Sequence, residues 1–484
     1  MMKKYFIWTF GCQMNYADSE KLAMILRKSG FEKANTWQES DLVIFNTCSV
    51  RQKWEDRVFG FIREIKKYNK KLIKQKKSRQ IKIWITWCMV RKTWISKNYV
   101  ELDRKRLTAK KIELIREEAG IYNYDDKLFP RSPELDFVIR IEDIRFLNKI
   151  LSKIFWEHIW DDAKHDDYLK AEQLRENPAS ANIVVQTWCD NFCSYCIVPY
   201  TRGRELSREK SEIITEIKNA VEKWAKEVTL LWQNVNSYWK QFKQEHWNED
   251  EFKWHKNVWK SPFRELLEEV NNIEWIDRIR FTSSNPHDMR DDILSSHFDL
   301  DKICNYLHFA MQSWSDEMLK KMNRKHTYED FKNKVDYLRK KDKFFAISTD
   351  IIVGFSGETD DMFQDTVKAM KEIEFDFAYL ARYSVRKGTL ASKMYPDDVP
   401  QEVKAERWHI LNNVLEKSVK SRNKLMLDRE EIILISRQDE NYLYWRTRNF
   451  KEVKIIKNNN FKIWDLVKVK ILRIEWWMLY WEII

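Results

Sequence analysis

The chain has 484 residues, 43% of them hydrophobic, and a formal net charge of +12. That length accommodates about three domains of roughly 150 residues, and the apolar share excludes wholesale disorder. No apolar run reaches the roughly 18 residues needed to cross a bilayer, and no N-terminal run has the make-up of a signal peptide. A cytosolic protein with no membrane partner is expected. The surplus of Lys and Arg suits a polyanionic partner, because neutralising phosphates releases condensed counterions. Seven cysteines in such a chain point to metal ligation or catalysis rather than to a disulfide framework.

In chain order, Tyr5–Thr9 reads as a strand, Ser19–Ser29 as a helix and Leu42–Asn46 as a strand. Arg57–Lys67 follows as a helix and Ile81–Thr86 as a strand. This alternation is that of a mostly parallel sheet. Residues 1–160 are expected to form a first domain, carrying a charged insertion at Lys92–Arg131, with a polar linker at 161–181. A second series fills 182–415, with strands at Asn182–Thr187, Glu227–Leu231, Arg278–Thr282, Tyr306–Met311, Ala346–Val353 and Phe377–Tyr383. Helices at Ser211–Lys223, Ser261–Asn271, Tyr328–Lys340 and Asp360–Ile373 separate them. The pattern predicts a partial or full βα barrel, whose chemistry lies at the carboxyl ends of its strands. Gln244–Lys260 reads as an exposed insertion and Pro400–Leu427 as a long helix. Beyond it, β-like alternation at Ile432–Ile435, Glu452–Ile456 and Leu466–Ile471 predicts a small β-barrel over 428–484. The fold class is α/β, closed by that barrel.

The composition holds one anomaly: 8 glycines against 23 tryptophans. A usual glycine share of about 7% would give roughly 34. Several tryptophans also stand where glycine is physically easier, such as Trp239 after Asn236-Ser237-Tyr238 in an apparent turn. The expectation is that many are glycines in the organism, encoded by UGA and read as tryptophan. The alternative is a genuinely tryptophan-rich chain.

The strongest motif is Cys189-Asp-Asn-Phe-Cys193-Ser-Tyr-Cys196, directly after the strand-like Ile183–Gln186. Three thiolates in one short loop can hold three irons of a [4Fe–4S] cluster and leave the fourth open to chelate S-adenosylmethionine. A structural zinc site normally takes four protein ligands, and no fourth Cys or His lies nearby. Tyr195 is placed to pack on the adenine of that ligand. Cys12, Cys48 and Cys88 each follow one of the three N-terminal strands. A parallel sheet gathers such positions at one edge, so a second three-cysteine cluster is expected there. Cys304 is expected to be a packed core cysteine.

With these residues in view, the chain resembles the radical-SAM tRNA methylthiotransferases of the MiaB type. The resemblance rests on Gly11-Cys12-Gln13-Met14-Asn15, Asn46-Thr47-Cys48-Ser49-Val50-Arg51, Cys88-Met89, and Cys189 through Arg208. It continues through Leu230–Asn236, Arg278–Ser283, Gln312–Asp316, Asp350–Thr359 and a terminal segment similar to a TRAM RNA-binding barrel. Where the family has glycine, this chain has Trp87, Trp188, Trp232, Trp314, Trp445, Trp464 and Trp481. The resemblance implies two [4Fe–4S] clusters, a radical-generating one on Cys189, Cys193 and Cys196 and an auxiliary one on Cys12, Cys48 and Cys88. It implies S-adenosylmethionine contacts at Tyr195, Gln233 and Asp350. It further implies methylthiolation of N6-isopentenyladenosine at position 37 of a tRNA anticodon stem-loop, by a monomer drawing electrons from a flavodoxin or ferredoxin. The sulfur source stays open. The alternatives are methylthiolation of a ribosomal-protein aspartate, methylthiolation of threonylcarbamoyladenosine, and a non-catalytic iron–sulfur RNA-binding protein.

Overall fold

The computed structural model describes residues 2–48, 52–77, 79–87, 89, 128, 132, 134–139, 144, 147–155, 159, 169, 171–175, 177–187, 189–202, 205–238, 260–457, 460–475 and 478–483. The two expected insertions fall largely outside them and the expected linker partly so, while Cys88 and Trp188 lie outside. The chain divides into two compact units, Met1–Glu176 with Ile197–Gly203, and Asn177–Cys196 with Arg204–Ile484.

The first unit is built on five parallel strands: β1 (Lys4–Thr9), β2 (Glu32–Lys33), β3 (Leu42–Thr47), β4 (Lys82–Trp87) and β5 (Phe137–Val138), in the order β2-β1-β3-β4-β5. β3 lies centrally and is buried along its whole length, as expected of a continuous Leu-Val-Ile-Phe run in a parallel sheet. The helix after β1 starts at Gln13, well before the Ser19 expected from apolar spacing. Its start is fixed by polar chemistry instead: the Asn15 Oδ1 accepts the Cys12 backbone N–H at 3.2 Å, filling one of the orphan positions at a helix N-terminus. The next helix runs over Gln52–Lys74, longer at both ends than expected, and buries Ile62, Ile65 and Leu72 at helical spacing.

The second unit opens with β6 (Ser180–Val184), the short pair β7 (Gln186–Thr187) and β8 (Leu206–Ser207), then β9 (Glu227–Leu231) and β10 (Arg278–Phe281). It continues with β11 (Tyr306–His308), β12 (Ala346–Val353) and β13 (Phe377–Arg382). Two parallel sheets, β6-β9-β10 and β11-β12-β13, are joined by parallel bridges at Ile279–Ile303 and Ser284–Phe309. The result is an arc of six parallel strands, with a continuous apolar core between the strands and their crossover helices. β11 is shorter than the expected Tyr306–Met311 because its pairing splits. Phe309 donates to Ser348 of β12, while Ala310 donates to Ser284 beyond β10.

A helix at Gln401–Lys424 leads to a closed five-strand barrel: β14 (Glu430–Gln438), β15 (Tyr442–Arg446), β16 (Glu452–Ile456), β17 (Leu466–Glu475) and β18 (Met478–Ile483). β15 and β18 were not anticipated. β15 follows a tight turn in which the Asp439 carboxylate accepts the Asn441 and Tyr442 backbone N–H groups at 2.9 and 2.7 Å, an Asx device that masks the start of a strand. The barrel is fastened to the βα arc by buried cations. Arg278 donates to the carbonyls of Arg446 and Ile432, and Arg280 to those of Arg448 and Thr447. Arg280 is held by Glu227 at 2.9 Å.

Candidate functional site

The loop from Cys189 to Cys196 leaves the end of β7 and is pinned on both flanks. On one flank Asp190 and Glu205 clasp each other, Asp190 N–H donating to the Glu205 carboxylate and Glu205 N–H to the Asp190 carboxylate. Glu205 also accepts from the Ser237 hydroxyl at 2.9 Å. Burial pushes the Glu205 carboxyl up to about 7, against the Ser237 hydroxyl and the backbone N–H of Asp190 that favour its anion. On the other flank the helix Asp316–Lys321 ends with Asn323 at φ 56. Arg324 N–H reaches back to the Leu319 carbonyl and Asn323 N–H to that of Lys320, the paired bonds of a Schellman turn. The orphan carbonyls of that terminus are used to hold the loop. Ser194 donates its backbone N–H to Met322 at 3.0 Å and its hydroxyl to Lys321 at 2.8 Å. The Asn323 amide donates to the carbonyls of Phe192 and Asn191 at 2.9 and 3.3 Å.

This scaffold sets three thiols within one another's field. Burial pushes the Cys189 thiol well above its usual value, against the Asn191 backbone N–H, and the charges of Cys193, Cys196 and Glu205 add to the rise. Arg324 donates from one guanidinium nitrogen to the Cys193 Sγ at 3.5 Å. Tyr195 lies in an apolar cluster with Met318, Met322, Phe355 and Ala391, its ring 6.5 Å from that of Phe355. Burial, then the neighbouring Cys193, push its phenol well up. Among the described residues no three His, Cys, Asp or Glu side chains already stand together as a metal-ligand group; the loop presents donors without a closed cage. Three soft sulfurs in one loop, with the Cys189 thiol held up by burial, fit an iron–sulfur cluster, because a cationic metal centre is what turns such a group into a thiolate. Of the other residues expected to touch S-adenosylmethionine, Gln233 is half-buried in the turn after β9. Asp350 lies within β12 and accepts from His308 Nε2 at 3.0 Å. His308, which the sequence had not singled out, meets the Ser348 hydroxyl through its other nitrogen at 2.8 Å.

In the first unit the structure brings Cys12 and Cys48 together through Asn15. Its side chain accepts from Cys12 N–H and donates to the Thr47 carbonyl at 3.2 Å and to Asn46 Oδ1 at 2.9 Å. Gly11, at φ 151, makes this approach possible: a Cβ there would collide with Asn15 and come within 2.9 Å of the Cys48 Cβ. The Thr47 hydroxyl donates to the Thr86 carbonyl and accepts from Met89 N–H. Cys88 itself lies outside the described residues, but both of these partners flank it in sequence and bond to the residue before Cys48. Cys304 is buried, its carbonyl hydrogen-bonded to His297 at 2.9 Å, as befits a core cysteine.

A parallel βα arc bearing a three-thiol loop beyond its first strand defines the radical SAM class, and the radical SAM superfamily matches residues 183–370. Residues 4–102 match the uncharacterized protein family UPF0004. The chain is 38% identical to a tRNA-2-methylthio-N(6)-dimethylallyladenosine synthase of Caldicellulosiruptor saccharolyticus, covering 100% of this chain and 93% of that one. It is 36% identical to a synthase of the same name from Clostridium botulinum, over 97% and 94% of the two chains. A third, from Thermoanaerobacter, is 38% identical over 99% and 92%. The chain belongs to the tRNA-2-methylthio-N(6)-dimethylallyladenosine synthase family.

Proposed function

We propose that this protein converts N6-isopentenyladenosine (dimethylallyladenosine) at position 37 of tRNA to its 2-methylthio derivative, using two [4Fe–4S] clusters and S-adenosylmethionine. The observation that carries this reading is full-length similarity to synthases so named, joined to a pinned three-thiol loop in the radical SAM unit. Those names favour this substrate over an aspartate side chain or threonylcarbamoyladenosine. Cys189, Cys193 and Cys196 are the ligands of the radical-generating cluster, and Cys12, Cys48 and Cys88 those of the auxiliary one. Tyr195, Gln233 and Asp350 are the candidate S-adenosylmethionine contacts. When bound, these groups supply an electron, a 5′-deoxyadenosyl radical and the sulfur to be inserted. The chain's own residues do the rest. Ser194, Asn323 and the Asp190–Glu205 clasp hold the loop in place, and the apolar cluster around Tyr195 and Phe355 keeps water from a reactive site.

The reading assigns sulfur chemistry to residues 1–160, radical generation to 182–415 and RNA grip to 428–484. It includes a cytosolic monomer and a flavodoxin or ferredoxin as reductant; among the described residues no helix is long and apolar enough to cross a membrane. The terminal barrel supports the RNA role with three ring–cation pairs: Lys454 over Tyr442 at 3.4 Å, Arg437 over Tyr444 at 4.1 Å and Arg473 over Tyr480 at 4.4 Å. Rings for bases beside cations for phosphates are what single-stranded RNA requires. Replacing Arg437, Lys454 and Arg473 by alanine together should weaken tRNA binding and lower its dependence on salt by about one unit of slope per lost phosphate contact.

Nucleoside mass spectrometry of tRNA with and without the gene tests the function directly. The deletion should lose 2-methylthio-N6-isopentenyladenosine and accumulate its precursor; unchanged levels would refute the assignment. Cys48→Ala should keep S-adenosylmethionine cleavage yet stop sulfur insertion, and equal loss of both would break the division of labour.

A further inference from the structure

We propose that Arg324 is a positioning and tuning residue for the Cys189–Cys196 site, its guanidinium setting the reduction potential of the cluster through Cys193. The proposal rests on reading those cysteines as cluster ligands and goes beyond it. The Schellman turn that ends the Asp316–Lys321 helix delivers Arg324 to the loop. One terminal nitrogen donates to the Ala310 carbonyl, fixing the side chain beyond β11, and the other donates to Cys193 Sγ at 3.5 Å. Its Nε is buried with no hydrogen-bond partner. The guanidinium stays charged at any pH the protein meets.

A cluster gains one negative charge on reduction. A fixed cation and an N–H···S hydrogen bond at a ligand sulfur stabilise the reduced form more than the oxidised one, raising the potential. A merely structural arginine could reach Ala310 without touching sulfur. This one spends half its fork on the middle ligand of the loop.

The test compares reconstituted wild type with Arg324→Gln and Arg324→Lys, reading iron and sulfide content together with the cluster's midpoint potential by redox titration under electron paramagnetic resonance. The expected result is full iron in all three, a more negative midpoint in Arg324→Gln, and partial return in Arg324→Lys. S-adenosylmethionine cleavage should slow several-fold in Arg324→Gln with a weak reductant and recover with a stronger one. Loss of iron from Arg324→Gln with full loading and a near-native midpoint in Arg324→Lys would also support the charge. Unchanged midpoints at full loading, or loss of iron from both variants, would overturn the proposal. Absence of the cluster from wild type would instead sink the ligand assignment beneath it.

A separate observation concerns the tryptophans. Trp224, Trp275 and Trp464 have φ of 73, 66 and 84, a region that a bulky side chain adopts only as an outlier and glycine adopts freely. Trp224 follows the helix Lys210–Glu222 and its cap Lys223. Its N–H reaches Val221 and that of Ala225 reaches Ala220, which makes it the glycine position of a Schellman turn. Trp464 is the third residue of a turn closed by Asp465 N–H to the Lys462 carbonyl at 3.2 Å, the glycine position of a type II turn. Trp224 and Trp275 are 65% and 72% exposed, so burial does not offset the strained backbone. Inside the molecule, Trp232, Trp314 and Trp481 bury indole N–H groups without an acceptor.

We infer that these six positions are glycine in the organism, through UGA codons read as glycine. Sequencing the gene and measuring peptide masses of the protein purified from its own cells decide the matter. UGA codons with glycine-mass peptides at 224, 275 and 464 are expected. UGG codons or tryptophan-mass peptides there would overturn the inference. In the tryptophan-bearing chain, Trp224→Gly, Trp275→Gly and Trp464→Gly combined should raise the melting temperature, and a fall would count against it.

Discussion

Cys193→Ala is expected to abolish reductive cleavage of S-adenosylmethionine and to leave roughly half the iron of the reconstituted protein, the share of the auxiliary cluster. The reasoning is local. Cys193 is the middle donor of the loop, buried, and the one that Arg324 addresses. Alanine removes the only atom at that position able to bind iron, while the pins at Ser194, Asn323 and Asp190 remain. The fold should survive, since deleting one buried sulfur costs on the order of 1 kcal/mol. Cys304→Ala is the matched control: a buried cysteine outside the loop, with a similar small stability cost and no loss of iron. Iron analysis and 5′-deoxyadenosine release check both variants. Full iron and normal cleavage in Cys193→Ala would remove the loop from the chemistry.

The loop was legible because its signal is local: three thiols within eight residues need no tertiary context to suggest a cluster. What holds it was not. Asn323 and Arg324 sit over a hundred residues downstream, and the bonds that matter come from a helix terminus whose orphan carbonyls receive Ser194. Glu205 is similar: an ordinary carboxylate in sequence, buried and clasped to Asp190 only once β7 and β8 pair. In the first unit the parallel pattern made legible that Cys12 and Cys48 follow β1 and β3. Asn15, which ties Cys12 to the end of β3, carried no role until Cys12, Asn46 and Thr47 were in place around it.

The same distinction runs through the fold. β9 and β12 and the helix Asp360–Ile373 match their expected bounds, because buried strands and an amphipathic helix write their periods into the chain. β15 and β18 did not show, since each owes its strand state to barrel partners: β15 to β14 and β16, and β18 chiefly to β17. Nor did the sequence reveal that the terminal barrel shares one compact unit with the βα arc. That union depends on buried ion pairs between residues far apart in the chain.

Asp376 is the centre of one such cluster, and Asp376→Ala should destabilise the second unit by roughly 3–5 kcal/mol, the usual cost of removing one member of a buried ionic group. Its carboxylate accepts from Lys451 of the barrel at 2.6 Å, from Arg422 of the Gln401–Lys424 helix at 3.3 Å, and from Arg339 at 3.3 Å. It also accepts the Ile347 backbone N–H at 2.9 Å. Burial alone would raise this carboxyl, but Lys451, Arg422 and Arg339 overcome it and hold it below its usual value. Alanine would strand three cations in the interior; Lys451 can shed its proton, whereas the two guanidiniums remain charged near neutrality. The sign of the pH effect follows. A carboxyl depressed in the folded state contributes fully above its unfolded value of about 3.9 and loses that contribution as acid carries the pH down through the folded value. Wild type should therefore lose stability steeply on acidification. Asp376→Asn, which keeps the shape and one acceptor without the charge, should start lower and show a shallower acid limb. Thermal unfolding across pH, read together with tRNA binding, measures both. If Asp376→Ala unfolds at the wild-type temperature, the barrel is not held by this cluster, and its grip on RNA need not be coupled to the radical site.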